Sequence, residues 1–206
     1  MNKLFILILI LFSAATMQAS YLLLPMDHDK QANHLKAYGI TYWVINQGIE
    51  AYWLLNYRGG SFAFPHTKGL EAECKVRGVS YEVISDGQWI AIRTEISNPE
   101  INQEVIKLEK APKIAVYTPD FNPEGKRIQP WDDAVTLVLT YAEIPFEKVY
   151  DREVLEGKLA QYDWLHLHHE DFTGQYGKFY ASQGGTPWYK LNQQKTEALA
   201  KGLGFT

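Results

Sequence analysis

The chain of 206 residues has one cysteine, Cys74, so no intramolecular disulfide can form and stability must come from packing. It has no apolar run of membrane-spanning length. The stretch at residues 4–12 is far shorter than the ~20 residues a membrane helix needs. No cysteine follows that stretch to take a lipid. A basic excess is also missing: 20 Lys and Arg stand against 24 Asp and Glu, which argues against nucleic acid as a partner.

What is present begins with an address. Lys3 precedes the apolar stretch, and the small and polar residues 13–20 follow it, the pattern of a secretory signal peptide over residues 1–20. Cleavage is expected near Ala19 or Ser20, releasing a mature chain without a transmembrane span and placing it in the periplasm. Met17 is bulky for the small-residue cleavage pattern, so a retained N-terminal anchor is the alternative. Removal of Lys3 leaves 19 basic residues and a formal charge of −5.

Two stretches, 21–110 and 111–206, alternate strand-like and helix-like patterns, with a polar segment at 98–113 between them. The first predicts strands at 21–25, 51–57 and 81–84 and helices at 31–46 and 70–76. The second predicts strands at 113–117, 146–150 and 164–168, helices at 131–143 and 152–161, and a final helix at 191–201 with Gly202 as its C-cap. The order implies an α/β fold of two βαβαβ units with parallel, twisted sheets. Helix 131–143 is apolar on nearly every side, as a crossover covered by two layers would be. Pro130 sits at its start, and Asp132 and Asp133 fall in its first turn, where the helix dipole favours negative charge. The last helix is followed by only four residues, so the second sheet reads as incomplete at its C-terminal end.

The densest chemistry lies at 163–171, where the strand Trp164-Leu165-His166-Leu167-His168 runs into His169, Glu170 and Asp171. His166 and His168 share one strand face, while His169 points away unless the backbone turns. Imidazole and carboxylate suit a divalent metal, with at most two histidines and one carboxylate converging. A histidine held by Glu170 or Asp171 as general acid/base needs fewer coincidences, and a structural hydrogen-bond network is the competing reading. In a 2-1-3 strand order, the loops after strands 113–117 and 164–168 meet at one crevice. Pro119, Asp120, Trp131 and Asp132 would then face His168, His169, Glu170 and Asp171, with the aromatic loop 172–189 as a cover. Elsewhere, Arg58-Gly59-Gly60-Ser61 reads as a hairpin turn before a returning strand at Phe62, with an anion-binding turn as the alternative. Cys74, four residues after Leu70 in a helical pattern, reads as a core thiol rather than a nucleophile.

Residues 52–62 (YWLLNYRGGSF), 131–134 (WDDA) and 162–176 (YDWLHLHHEDFTGQY) resemble an exported bacterial family whose members are labelled asparagine synthetase B. The resemblance covers the mature chain and implies a flavodoxin-like, class I glutamine-amidotransferase-like fold. It also implies a longer protein, in which a further α/β portion of the same chain completes the second unit and supplies its nucleophile. Asparagine synthesis itself needs an N-terminal cysteine and a Ser-Gly-Gly-x-Asp-Ser loop for ATP. Position 2 is Asn2, the loop is missing, and ATP is not expected outside the cytoplasm. Three function classes follow: an exported amidohydrolase or amidotransferase-like enzyme, a binding protein for a polar small molecule or glycan, and an envelope scaffold component.

Overall fold

The computed structural model describes residues 20–118, 126–127, 133–167, 182 and 184–205. The chain divides into two compact units, Met1–Glu109 and Lys110–Thr206.

The first unit runs β1 (Ser20–Leu24), α1 (His34–Asn46), β2 (Ala51–Leu55), β3 (Phe62–Pro65), α2 (Lys68–Arg77), β4 (Glu82–Ser85), α3 (Asp86–Ile96) and β5 (Glu104–Leu108). Its five strands lie in the order β4-β1-β3-β2-β5, and every adjacent pair is antiparallel. This corrects the expectation of a parallel sheet. The physical reason is the hairpin: β3 returns into the slot between β1 and β2, so strands joined by a helical crossover run the same way without touching. β1-α1-β2-β3-α2-β4 in this order is the split βαβ, ferredoxin-like arrangement. Helix α3 and strand β5 are added to it. Both were missing from the expected elements, and β5 falls inside the segment read as a polar connection.

Both faces of this sheet are covered. Leu22, Leu24, Phe62 and Phe64 pack with Ala37, Ile40 and Val44 of α1 and with Leu70 and Cys74 of α2. On the other face Leu23, Leu54, Ala63 and Ile84 pack with Trp89 and Ile96 of α3. Strand side chains alternate between faces, so the consecutive apolar residues of β1 serve two cores. Trp89 also stacks on Tyr21, with ring centroids 4.7 Å apart. Each helix is capped: Asn33 accepts from the Lys36 N–H and Thr67 from the Leu70 N–H. At α3, Ser85 and Gln88 form a reciprocal capping box.

The β2–β3 connection is the expected hairpin. Asn56, Arg58, Gly59 and Gly60 all have positive φ. A Cβ on Gly59 would stand 2.3 Å from the Met26 carbonyl oxygen, so this position admits only glycine. The N–H groups of Gly60 and Ser61 both donate to the Tyr57 carbonyl. Arg58 is committed to Asp27 at 2.8 Å and to Glu82 at 2.9 Å. The Gly60 and Ser61 N–H groups and the Arg58 guanidinium are therefore spent within the fold, which favours the hairpin over the anion site.

The second unit runs β6 (Ile114–Tyr117), α4 (Ala134–Ala142), β7 (Glu147–Val149), α5 (Asp151–Leu155), a 3-10 turn (Lys158–Gln161), β8 (Trp164–Leu167) and α6 (Pro187–Gly202). Its sheet is parallel, in the order β7-β6-β8, with β6 at the centre. This is the 2-1-3 order expected for this unit. Three local expectations change. Helix α4 starts after Asp133, which is its N-cap and not a first-turn residue. The helix expected at 152–161 breaks at Gly157, whose φ is 75°. Helix α6 starts at Pro187, and Gly204, with φ 87°, closes its C-terminal end instead of Gly202. Leu137, Val138 and Tyr141 on α4 are exposed, so its second covering layer is not supplied by the described residues.

Candidate functional site

The carboxyl ends of β6 and β8 lie side by side, with Val116 opposite His166 and Tyr117 opposite Leu167. Parallel strands put their carboxyl ends at the same edge, and in open α/β sheets ligands bind in the crevice there. Thr118, buried at the end of β6, donates its N–H to the Val149 carbonyl at 3.0 Å. Asp133, the N-cap of α4, accepts from the Thr136 N–H at 2.8 Å. The Thr136 hydroxyl donates back to the Asp133 carbonyl at 3.1 Å. The Asp133 side chain is only 8% exposed, so its position is set by the cap.

Against this carboxylate stands His166. Its Nε2 lies 3.6 Å from Asp133 Oδ1. That separation is too long for a hydrogen bond. Nε2 is buried and has no hydrogen-bond partner. A buried ring nitrogen without a partner loses free energy that a ligand or water could restore. The arrangement thus offers an ionisable imidazole with one nitrogen uncommitted and a fixed carboxylate beside it, at the ligand-binding edge of a parallel sheet. Such a pair can take a proton from, or return it to, a polar group seated beside both.

The same edge is braced on its other side. Tyr117 donates its hydroxyl to Asp151 Oδ1 at 2.6 Å, and Thr196 of α6 donates to Asp151 Oδ2 at 2.6 Å. The Tyr117 and Tyr150 rings lie 5.2 Å apart. At the opposite end of the strands, Asp163 accepts from Lys110 Nζ at 2.6 Å and from the Lys113 N–H at 2.8 Å. These contacts hold the Asp163 carboxyl below its ordinary range, with the Lys110 hydrogen bond the leading cause.

The sequence-derived candidates His168, His169, Glu170, Asp171 and Asp132 all lie outside the described residues, as do Pro119, Asp120, Trp131 and loop residues 172–181. What the fold brings together is the pair next to them. In the sequence Asp133 reads as a partner of the helix dipole, and His166 as sharing a strand face with His168. The signal available in the sequence was Asp133 three residues before Thr136, the spacing of a side-chain cap. In the first unit Cys74 is fully buried, and burial pushes its thiol up to about 12, which fits a core thiol.

Among the described residues no group of three or more His, Cys, Asp or Glu side chains is placed to hold a metal ion. No helix among them is long and apolar enough to cross a membrane. Comparison of the chain with protein-family models, with curated proteins and with solved structures returns no match.

Proposed function

We propose that this is an exported α/β protein of the kind labelled asparagine synthetase B, acting on the carboxamide of a small polar molecule in the manner of an amidohydrolase or amidotransferase. In this reading the second unit is the first part of a flavodoxin-like, class I glutamine-amidotransferase-like domain. The observation that carries the proposal is the buried, uncommitted Nε2 of His166 beside Asp133 at the carboxyl edge of β6 and β8. His166 acts as the general base that draws a proton from water onto Nε2, and the Asp133 carboxylate 3.6 Å away stabilises the charge that develops on the ring. His168, His169, Glu170, Asp171 and Asp132 border this pair in sequence and are the further candidates of this reading. The reading requires neither ATP nor a metal. Export is supported by Lys3 and the apolar run at 4–12.

The test is ammonia release from glutamine, asparagine and other small amides by the mature protein, alongside D133N and H166Q. Asparagine retains the helix cap, so D133N removes charge without removing the fold. Each variant is expected to lower the rate by about 10²–10⁴-fold. Rates unchanged in both variants, or tight binding of a polar ligand without turnover, would overturn the enzyme reading. An intact Met1 in protein recovered from the cell envelope would overturn signal cleavage, and recovery of the protein from the cytoplasm alone would overturn export.

A further inference from the structure

A second chain of reactive groups lies in the first unit, independent of the crevice described above. Ser20 Oγ is 3.1 Å from His66 Nδ1, and His66 Nε2 is 3.1 Å from Glu71 Oε2. A carboxylate can only accept, which puts the ring proton on Nε2 and leaves Nδ1 to accept the serine hydroxyl. Glu71 is fixed in turn: Oε1 accepts from Lys75 Nζ at 2.7 Å and from the Tyr81 hydroxyl at 2.9 Å. The Lys75, His66 and Tyr81 hydrogen bonds hold the Glu71 carboxyl down to about 2, so it is ionised across the physiological range. The His66 backbone N–H donates to the Ser20 carbonyl at 2.8 Å, which locks the two residues together at the sheet end.

Two helix starts lie at the same end of the sheet. Tyr21 pairs with Pro65 at the end of β3, and Ser20 pairs with Ser85 at the end of β4. Helices α2 and α3 both start there, capped by Thr67 and Ser85. Each has glycine at its second position, Gly69 and Gly87, and a Cβ on either would meet nothing closer than 3.8 Å. First-turn N–H groups lack intrahelical partners, and the positive end of the dipole favours developing negative charge. Each first turn also carries one carboxylate, Glu71 in α2 and Asp86 in α3.

We infer that Ser20, His66 and Glu71 form a nucleophile, base and positioning group that hydrolyse small activated acyl esters. Ser20 Oγ bonds to the acyl carbon as its proton passes to His66 Nδ1, and the carbonyl electron pair moves onto the carbonyl oxygen. Collapse expels the alkoxide, which takes the proton from His66 and leaves an acyl-serine ester. Water then attacks that ester with His66 again as base, releasing the carboxylic acid and restoring the Ser20 hydroxyl. Ester and water become acid and alcohol, with no other reactant.

The experiment treats the mature, full chain with a fluorophosphonate probe and locates the adduct by peptide mass spectrometry, with p-nitrophenyl acetate hydrolysis in parallel. One adduct on Ser20 is expected, lost in S20A, with labelling slowed about 100-fold in H66Q. E71Q should slow labelling, and E71D, which keeps a carboxylate, should restore part of the rate. A purely structural role for Glu71 would leave E71D as slow as E71Q or leave both at the wild-type rate. The inference is overturned by no adduct, by an adduct that persists in S20A, or by a mature chain that starts at Tyr21 and so lacks the nucleophile. Ammonia release by the second unit is expected to be unchanged in S20A, so the two proposals fail separately.

Discussion

The first unit has five strands with apolar residues on both faces and three capped helices to cover them. The second has three strands, and its helix α4 buries Thr136, Leu139 and Ala142 on one side while leaving Leu137, Val138 and Tyr141 in water. Trp164 on β8 is likewise 45% exposed. The difference shows how differently two similar element orders spend their apolar residues. In the first unit, inserting β3 between β1 and β2 makes a wide sheet that seats one helix layer on each face. In the second, parallel strands joined by helices make a narrow sheet, and the chemistry collects at one edge. Among the described residues, a unit covered on both sheet faces and one with an exposed helix side thus sit in one chain.

Mutations should separate the two. The largest effect is expected from Phe64→Ala in the first core, where a fully buried ring is removed. Chemical denaturation should show a loss of about 3–5 kcal/mol. Gly59→Ala should follow, because left-handed backbone costs a non-glycine residue about 1–3 kcal/mol and the Met26 carbonyl adds a clash. If Gly59→Ala is neutral, the hairpin does not dock on Met26 as described, and the antiparallel order loses its anchor.

Alkaline pH should also act on the first unit. Burial, reinforced by the Glu50 hydrogen bond, raises Tyr52 from 10.0 to about 12. Burial raises Cys74 from 9.0 to about 12. Both groups hold their proton more tightly when folded, so the stability they contribute is full below pH 9 and is lost as pH rises towards 12. Tryptophan fluorescence should report loss of the environment around Trp89 in that window, and C74A should move the onset upwards.

Smaller effects belong to the second unit. Asp133→Ala removes a cap and should cost about 1 kcal/mol, while Asp133→Asn should cost less because asparagine caps equally well. Leu137→Ala on the exposed side of α4 should stay within about 0.5 kcal/mol. A large loss at Leu137 would mean that this helix face is covered in the full protein.

Legibility in the sequence followed the range of the forces involved. Strands β1, β6 and β8 and helix α1 were readable because their apolar patterns are local. Helix α3 had a readable signal in Ser85 and Gln88, yet its stripe of Trp89, Ile92 and Ile96 follows a strand with no intervening turn. β5 was obscured because Glu104 and Lys107 interrupt the apolar residues Val105, Ile106 and Leu108 of this edge strand, so its five residues show no period-two pattern. Of the candidate site, the neighbourhood was legible and the pair was not. His166 and Asp133 are 33 residues apart in the chain, and no local pattern records their approach to 3.6 Å.

By itself the sequence determined the α/β class, the two alternating stretches, the hairpin at Gly59 and the burial of Cys74. Each follows from periodicity, backbone preference or apolarity within a few residues. Only the tertiary structure decided that the first sheet is antiparallel, that Asp133 caps α4 against His166, and that Ser20, His66 and Glu71 stand in line. Those outcomes depend on which strand enters which slot. Strand pairing is settled by the total apolar area that one arrangement covers, a sum over distant residues that no short window of sequence contains.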